Sequence, residues 1–507
     1  MELAKVLAGV ETLAVAGSLK VEVGGVAYDS RQVRPDGLFV AIHGEKLDGD
    51  NFIPQAIGAG AAAVLSERPP RPDARATWVQ VRSARQALAQ AAANFYGHPA
   101  RAVKLIGVTG TNGKTTTAYL LESILRAAGH KVGLFGTVEY HTAGKVIPAS
   151  QTTPESADLQ GFLAGLREAG AGWAVMEVSS HGLALDRVYA CPFAAAVFTN
   201  LSRDHLDFHQ TMDAYFEAKK KLFLGCGAEP PPLCVLNADE PRTRELEPLC
   251  QGQVVLYGLK GNGKVITARR PQLTFAGIEF TLQTPAGAVP VRSPLVGRSN
   301  LWNLLAAAAT AHGLGLPLET IARGLEALAR VPGRFERVDA GQPFAVVVDF
   351  AHTDLAFTNL LETSRELARP GGLARGGKVI IVFGSGGDRD RTKRPLMGEI
   401  AARLADHVIL TTDNPRSEDP VRIINDILVG VQKAGGSHTI EVERERAFAK
   451  AFEMAREGDI VLLAGKGHQN TQVYRDRTEP WSDAEVARRL LERRGSARAE
   501  TARSNAR

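Results

Sequence analysis

The chain has 507 residues, too many for one compact core, which predicts two to four domains. Apolar residues make up 44% and charged residues 23%, and the four cysteines (Cys191, Cys226, Cys234, Cys250) form no CxxC pair. With no apolar run long enough to span a bilayer, this excludes a membrane-spanning helix, a disordered chain and a disulfide scaffold. The net charge of +5 is carried by residues 488–507, which hold seven arginines and two glutamates, so the body is formally neutral and no nucleic-acid partner is expected. The opening MELAKVLAGVETLAV lacks a basic stretch ahead of a cleavage site, and a cytoplasmic protein without membrane insertion is expected.

Three blocks follow along the chain. Residues 1–98 mix short apolar strands (GVAYDS, GLFVAI, AAAVLS) with the helical stretch SARQALAQAAANFYG, and the Gly-His-Pro segment after it breaks the helix. Residues 99–335 alternate strand and helix through KLIGVTG, KTTTAYLLESILRAAG, KVGLFGTV, WAVMEVSS, AAAVFTN and PLCVLNAD, the pattern of a mostly parallel sheet covered by helices. Residues 252–296 are richer in strand, and a helix follows at WNLLAAAATAHGL. Residues 336–494 repeat the α/β alternation with FAVVVDFAH, KVIIVFGSGG, HVILTTDNP, HTIEVE and DIVLLAGKGH. The last helix is predicted to start at SDAE, where Ser482 and Glu485 have capping-box spacing. Residues 495–507 are basic, poor in apolar side chains and expected to be a disordered tail.

The sharpest chemical signal is VTGTNGKTTT at 108–117, between an apolar strand and a helix. In that context backbone N–H groups and the helix N-terminus cradle phosphate. Gly110 and Gly113 let the backbone approach, Lys114 can reach the β and γ oxygens, and Thr115 can hold Mg²⁺. The match to GxxxxGK[ST] is incomplete, since Val108 stands at the first glycine position. ATP is the expected ligand, but a P-loop serves motors, switches and kinases alike, so the rest of the site must decide the function.

TGTNGKTTT, MEVSSHGL (176–183), FTNLSRDHLDFH (198–209), SNLWN (299–303), PGRFE (332–336) and VVVDFAH (346–352) follow one another in an order that resembles the Mur ligase family. YDSRQVRPDGLFVA (28–41), TTPES (152–156), DNPR (413–416) and GKGH (465–468) resemble the members that add the third peptide residue. The resemblance implies a three-domain α/β architecture, with a central P-loop ATPase-like, mostly parallel sheet and a Rossmann-like C-terminal domain. It implies an ATP-dependent ligase, acting as a monomer, that adds meso-diaminopimelate to a UDP-N-acetylmuramoyl dipeptide through an acyl phosphate.

It also implies roles for named residues. Glu177 and His205 would bind Mg²⁺ beside Thr115, although each taken alone reads as an ordinary polar residue near a strand end. Lys219, in AYFEAKKKLF, would be carbamylated and hold a second Mg²⁺; taken alone, Lys219, Lys220 and Lys221 read as a solvated helix face. Thr111, Asn112, Thr116, Asn300, Asn303, Arg334 and Asp349 would contact the nucleotide, with Arg334 stabilising the transferred phosphoryl group. Ser30, Thr152, Thr153, Ser180 and Arg187, with Arg31 and the neighbourhood of His43, would hold the UDP-linked acceptor. Asp413, Asn414, Pro415, Arg416, Arg389, Gly465, His468 and Gln469 would surround the diaminopimelate. The last two domains would close on each other about a hinge near 333–337.

The chain departs from the family's pattern at Phe350, at the absent proline after Thr353, and at Gln469, where tyrosine, proline and glutamate are usual. Three other readings remain open at this stage. A folylpolyglutamate synthase would lack the DSR block and DNPR, a P-loop switch or motor would need no amino-acid pocket, and a nucleotide-binding regulator would not need Lys114, Glu177, His205 and Lys219 together.

Overall fold

Runs of valine, isoleucine and alanine between glycine-rich turns supply the strands, and alanine- and leucine-rich stretches with period 3.6 supply the helices that cover them. The computed structural model describes residues 1–505 apart from 45–46, 71–74, 261–262 and 369–375, with side chains up to Gly495. Among the described residues the strands form five sheets.

The first sheet places Gly37–Val40 and Ala61–Ser66 at its centre, between Gly25–Ala27 and Thr77–Val81, all parallel, with Thr12–Ala16 antiparallel at one edge. Helix Ala84–Phe95 starts at Ser83, whose hydroxyl accepts the Gln86 N–H at 3.3 Å, and buries its alanine face on this sheet.

The second sheet has eight strands. Lys104–Thr109 lies between Phe193–Phe198 and Trp173–Glu177, parallel to both, and a hairpin of Glu139–Thr142 and Lys145–Pro148 closes one edge antiparallel. The strands inside the sheet are apolar along their whole length because helices cover both faces. The stretch 252–296 joins Gln253–Tyr257 to this sheet and then forms a separate antiparallel sheet of Thr267–Thr274, Gly277–Thr284 and Gly287–Ser293.

The third large sheet orders Ala345–Asp349, Ile460–Ala464, Val379–Phe383, His407–Leu410 and His438–Ile440 in parallel, with the short Glu336–Arg337 antiparallel at one end. A bidentate ion pair is buried under its carboxyl ends. Arg444 donates to both oxygens of Asp483 at 2.8 and 2.6 Å, and also to the carbonyls of Thr412 and Ala464. Both side chains are fully buried, so each charge depends on the other. The pair fixes the start of the last helix to the two loops that leave the sheet.

That helix, Asp483–Asn505, realises half of the expected capping box, with Ser482 Oγ accepting the Glu485 N–H at 3.3 Å. It also runs through most of 495–507, where composition suggested a disordered tail. Alanine, arginine and glutamate there are strong helix formers and extend a helix already anchored at Asp483. Residues 506 and 507 lie outside the described residues. Among those described, no helix is long and apolar enough to cross a membrane.

Arg444→Ala would leave the Asp483 carboxylate buried without its cation, and we expect a loss of about 3–5 kcal/mol. Denaturant titration followed by a probe in the third large sheet should show the lower midpoint, whereas a conserved midpoint would mean that water reaches Asp483.

Candidate active site

The loop after strand Lys104–Thr109 turns sharply into helix Lys114–Ala127, and two glycines permit the turn. At Gly110 (φ 144°) an added Cβ would lie 1.9 Å from Thr199 Oγ1, and at Gly113 (φ 85°) 2.3 Å from Asn303 Oδ1. Thr111 accepts the Ser202 N–H at 3.0 Å, while Asn112 donates its N–H to Asn200 Oδ1, so the loop is fastened to the next strand's end. Lys114 folds back, its Nζ donating to the carbonyls of Gly110 and Thr111 at 3.0 and 2.8 Å. Burial pushes its ammonium below the usual lysine range, against the attraction of Glu177 and Asp204.

Glu177, at the end of its strand, is buried and receives three hydrogen bonds. Thr137 donates its N–H to one oxygen at 2.7 Å and its hydroxyl to the other at 3.0 Å, and Thr115 donates its hydroxyl to that second oxygen at 3.0 Å. Arg334 donates to Thr115 Oγ1 at 3.2 Å and lies over the Phe350 ring at 4.7 Å, so it reaches the P-loop from the segment ahead of the third large sheet. Thr116 is buried in the helix behind Thr115. Asp349 accepts the N–H groups of Phe335 and Ala351, both at 2.7 Å, and so ties the backbone just after Arg334 to the end of its own strand.

Lys219 is 1% exposed, which overturns the solvated-face reading for the first lysine of the run. Its Nζ donates to the Gly110 carbonyl at 2.8 Å and lies over the Tyr215 ring. Burial, helped by Lys114, drives its pKa well below the usual lysine value. His205 adopts a left-handed backbone (φ 54°) and stacks edge-on against His181. Burial pushes its imidazole down to about 4, despite Asp204 beside it, so it presents a neutral nitrogen.

A cavity of about 350 Å³ opens from Asn112 and Gly113 along Asn303, Trp302 and Asp239. Trp302 donates to Asp239 Oδ2 at 2.8 Å. Asn300 stands behind this wall, its amide spent on the Val296 carbonyl and its oxygen on Asn303.

On the other side of Glu177, Thr152 lies 3.2 Å from Thr137 through their hydroxyls, and Thr153 Oγ1 bonds the Glu177 carbonyl at 2.9 Å. Arg187 donates to the Thr153 carbonyl and stands 3.4 Å from Glu155, while Ser180 Oγ is buried with no protein partner. Ser30 is buried too, donating to Gln55 Oε1 at 3.0 Å, behind the exposed Arg31. His43 is held by Asp48 at 3.0 Å, and its carbonyl accepts from Arg85.

A larger cleft of about 670 Å³ runs from Asp204 and His205 to Arg389, Asp413, Asn414, Arg416, Gly465 and Gln469. Arg416 (φ 52°) donates to the Gly387 carbonyl at 2.6 Å, and burial presses its guanidinium downward from its ordinary range. Asn414 donates to Gln469 Oε1 at 2.8 Å and accepts from Lys466 at 2.9 Å. Gly387 passes so near the Pro415 carbonyl that a Cβ would stand 1.9 Å from it. His468 does not join this cleft as expected. Gly467 (φ 52°) turns the chain back, and His468 packs on Phe350 with a ring distance of 4.9 Å, close behind Gly333.

Sequence reasoning passed over Thr137, Lys466, Lys393 and His352. Thr137 follows an ordinary strand, and only the fold shows both of its donors meeting Glu177. Lys466 lies inside the quoted GKGH yet is fully buried against Asn414, with burial lowering its pKa to about 8.

Comparison with known proteins places these features together. The chain matches the Mur ligase family catalytic domain over residues 22–96, the Mur ligase middle domain over 108–311, and the Mur ligase glutamate ligase domain over 333–467. It is similar to a UDP-N-acetylmuramoyl-L-alanyl-D-glutamate--2,6-diaminopimelate ligase of Solibacter usitatus, with 50% identity over 472 residues, 93% of this chain and 94% of that one. A protein of the same name from Geobacter metallireducens is 45% identical over 491 residues, 92% of this chain and 94% of that one. A solved structure of a ligase of this name superposes with a TM-score of 0.67 at 30% identity, covering 98% of this chain and 99% of that one. At such identity over nearly its whole length, the chain belongs to the Mur ligase family.

Proposed function

We propose that this protein uses ATP to join meso-diaminopimelate to UDP-N-acetylmuramoyl-L-alanyl-D-glutamate, a step in peptidoglycan synthesis. The observation that carries this reading is a P-loop whose Thr115 is bonded to the buried Glu177 carboxylate, together with a cleft that runs from Asp204 and His205 to Arg416. The three matched segments support a division into domains at about residues 98 and 335. ATP and a UDP-linked acceptor support a reaction in the cytoplasm.

A carboxylate oxygen of the acceptor attacks the γ-phosphorus of ATP, the bond to the β-phosphate oxygen breaks, and ADP leaves. The diaminopimelate amine, having lost a proton, then attacks the acyl carbon. The tetrahedral intermediate expels inorganic phosphate and leaves an amide. Lys114 and the loop amides hold the β- and γ-phosphates, and Arg334 faces the group in transit. Asn303 and the wall backed by Asn300 hold the rest of the nucleotide, with Asp349 fixing the segment that carries Arg334. The orphaned Ser180 hydroxyl, Thr152, Thr153 and Arg187 face the acceptor, with Ser30 at the UDP end.

The donors offered by Thr115, Glu177 and the neutral His205 suit Mg²⁺, whose preference is oxygen with an occasional nitrogen. Mg²⁺ there would neutralise phosphoryl charge. A neutral Lys219 amine can add CO₂ to form a carbamate, which would turn a buried cation into a further anionic ligand. Arg389, Asp413, Asn414, Arg416, Gly465 and Gln469 enclose the amino acid.

The reading is tested by phosphate release from ATP. Turnover should need the UDP-muramoyl dipeptide and meso-diaminopimelate together, and rapid hydrolysis without the acceptor would contradict it. Lys219→Ala should be nearly inactive, with partial recovery in short carboxylic acids, and the intact mass of the active enzyme should carry the added CO₂. An active enzyme of unmodified mass would remove the carbamate. Arg416 pairs with the second carboxylate of diaminopimelate, and L-lysine, which lacks it, would leave that charge unmatched at a cost of about 2–5 kcal/mol. We therefore expect a preference for diaminopimelate of roughly thirty- to several-thousand-fold in kcat/KM, mostly lost in Arg416→Ala. Equal use of lysine by the unaltered enzyme would reassign the substrate.

A further inference from the structure

The large cleft carries a pattern of charge that substrate binding does not account for. One wall holds Arg203 and Asp204, immediately before His205. The opposite wall, at the start of helix Lys393–Leu404, holds Asp390 and Lys393. The signs are complementary: Arg203 faces Asp390, and Asp204 faces Lys393. A lysine at the first position of a helix also runs against the helix dipole, which favours acidic residues there, so local helix stability does not explain it.

One link already crosses the gap. Arg203 donates to Thr392 Oγ1 at 3.3 Å, and Thr392 donates that hydroxyl to Asp390 at 2.6 Å, so a single hydroxyl separates the first pair. The second pair is held apart. Asp204 stands against its own neighbour His205 at 3.4 Å, and Lys393 donates to the His352 carbonyl at 3.0 Å. Lys393 also lines the cleft with Arg416, whereas Asp204 lies in the segment whose Ser202 is bonded to Thr111 of the P-loop.

We propose that Asp390 and Lys393 are positioning residues for amide formation, pairing with Arg203 and Asp204 to draw the amino-acid pocket onto the phosphoryl-transfer site. The two pairs act as a register device. Each forms fully only when the walls meet in one alignment, and the pair nearest His205 then sets the incoming amine against the acyl phosphate. Next to that, Arg394 fastens the same helix start to the Arg416 loop. It is fully buried and donates to Glu418 at 2.8 and 2.9 Å, to Asp426 at 2.9 Å and to the Gly386 carbonyl at 3.1 Å. Movement of Lys393 is therefore transmitted to Arg416 without slack.

The inference rests on the ligase reading, and a charge-reversal series separates the two. Arg203→Glu and Asp390→Arg should each lower kcat by about tenfold or more, because small misplacement of reacting groups is costly. KM for ATP should hold. The double reversal should return kcat to within about threefold of the unaltered enzyme, as expected of a directly coupled pair. X-ray scattering with a non-hydrolysable ATP analogue and the UDP-muramoyl dipeptide should show compaction for the unaltered enzyme and the double reversal, and less for either single change. Lys393→Gln should behave as the single reversals, and Lys393→Arg should keep most activity, which guards against a reversal that merely fails to fold. Single changes that leave kcat and compaction intact, or a double reversal no better than its worse parent, would overturn the proposal while tripeptide synthesis stands. Failure of the unaltered enzyme to make the tripeptide would instead overturn the ligase reading.

Discussion

The hydrogen bonds on Glu177 are the constraint on which the remainder of the site depends. A buried carboxylate must be matched by donors, and three hydroxyl or amide groups from the P-loop helix and the strand end at Thr137 supply them. Because Thr115 also accepts from Arg334, the same network reaches the segment leading to the last sheet. The P-loop, Thr152 and Thr153, and the segment around Arg334 are thus referenced to one side chain. A metal brought into such a site finds its donors already oriented, and little reorganisation is left for the reacting state.

Burial does a second job around this carboxylate. Lys114, Lys219 and Arg334 are drawn into one region, and each has its charged form disfavoured by loss of water. Phosphates relieve that cost by supplying negative charge. Cations kept partly desolvated bind an anion more strongly than solvated ones, because the water has been removed beforehand. The downward shift of Lys219 follows from the same crowding.

The P-loop follows a strand of the second sheet, whereas Asp413, Asn414 and Arg416 follow the carboxyl end of a strand in the last parallel sheet, the usual place for α/β ligand sites. Asp349 ties Phe335, the residue after Arg334, to the end of its own strand. The left-handed backbone at Arg416 and the tight approach of Gly387 to Pro415 fix the loop that carries Arg416.

The sequence determined by itself whatever depends on neighbours along the chain. A strand, a glycine turn and a helix opening with Lys114 specify the phosphate loop locally, and strand His407–Leu410 followed by DNPR places Arg416 at a sheet end. The α/β alternation likewise foretold the sheets of the second and third blocks. Tertiary structure alone decided which lysine of the run 219–221 is buried, since packing against Gly110 and Tyr215 singles out the first. It also decided that His468 turns away behind Gly333, that Thr137 meets Glu177, and that Arg203 and Asp204 face Asp390 and Lys393. Each of these rests on contacts between segments far apart in the chain, where periodicity and turn chemistry carry no information and the direction of a side chain is set by what packs beside it.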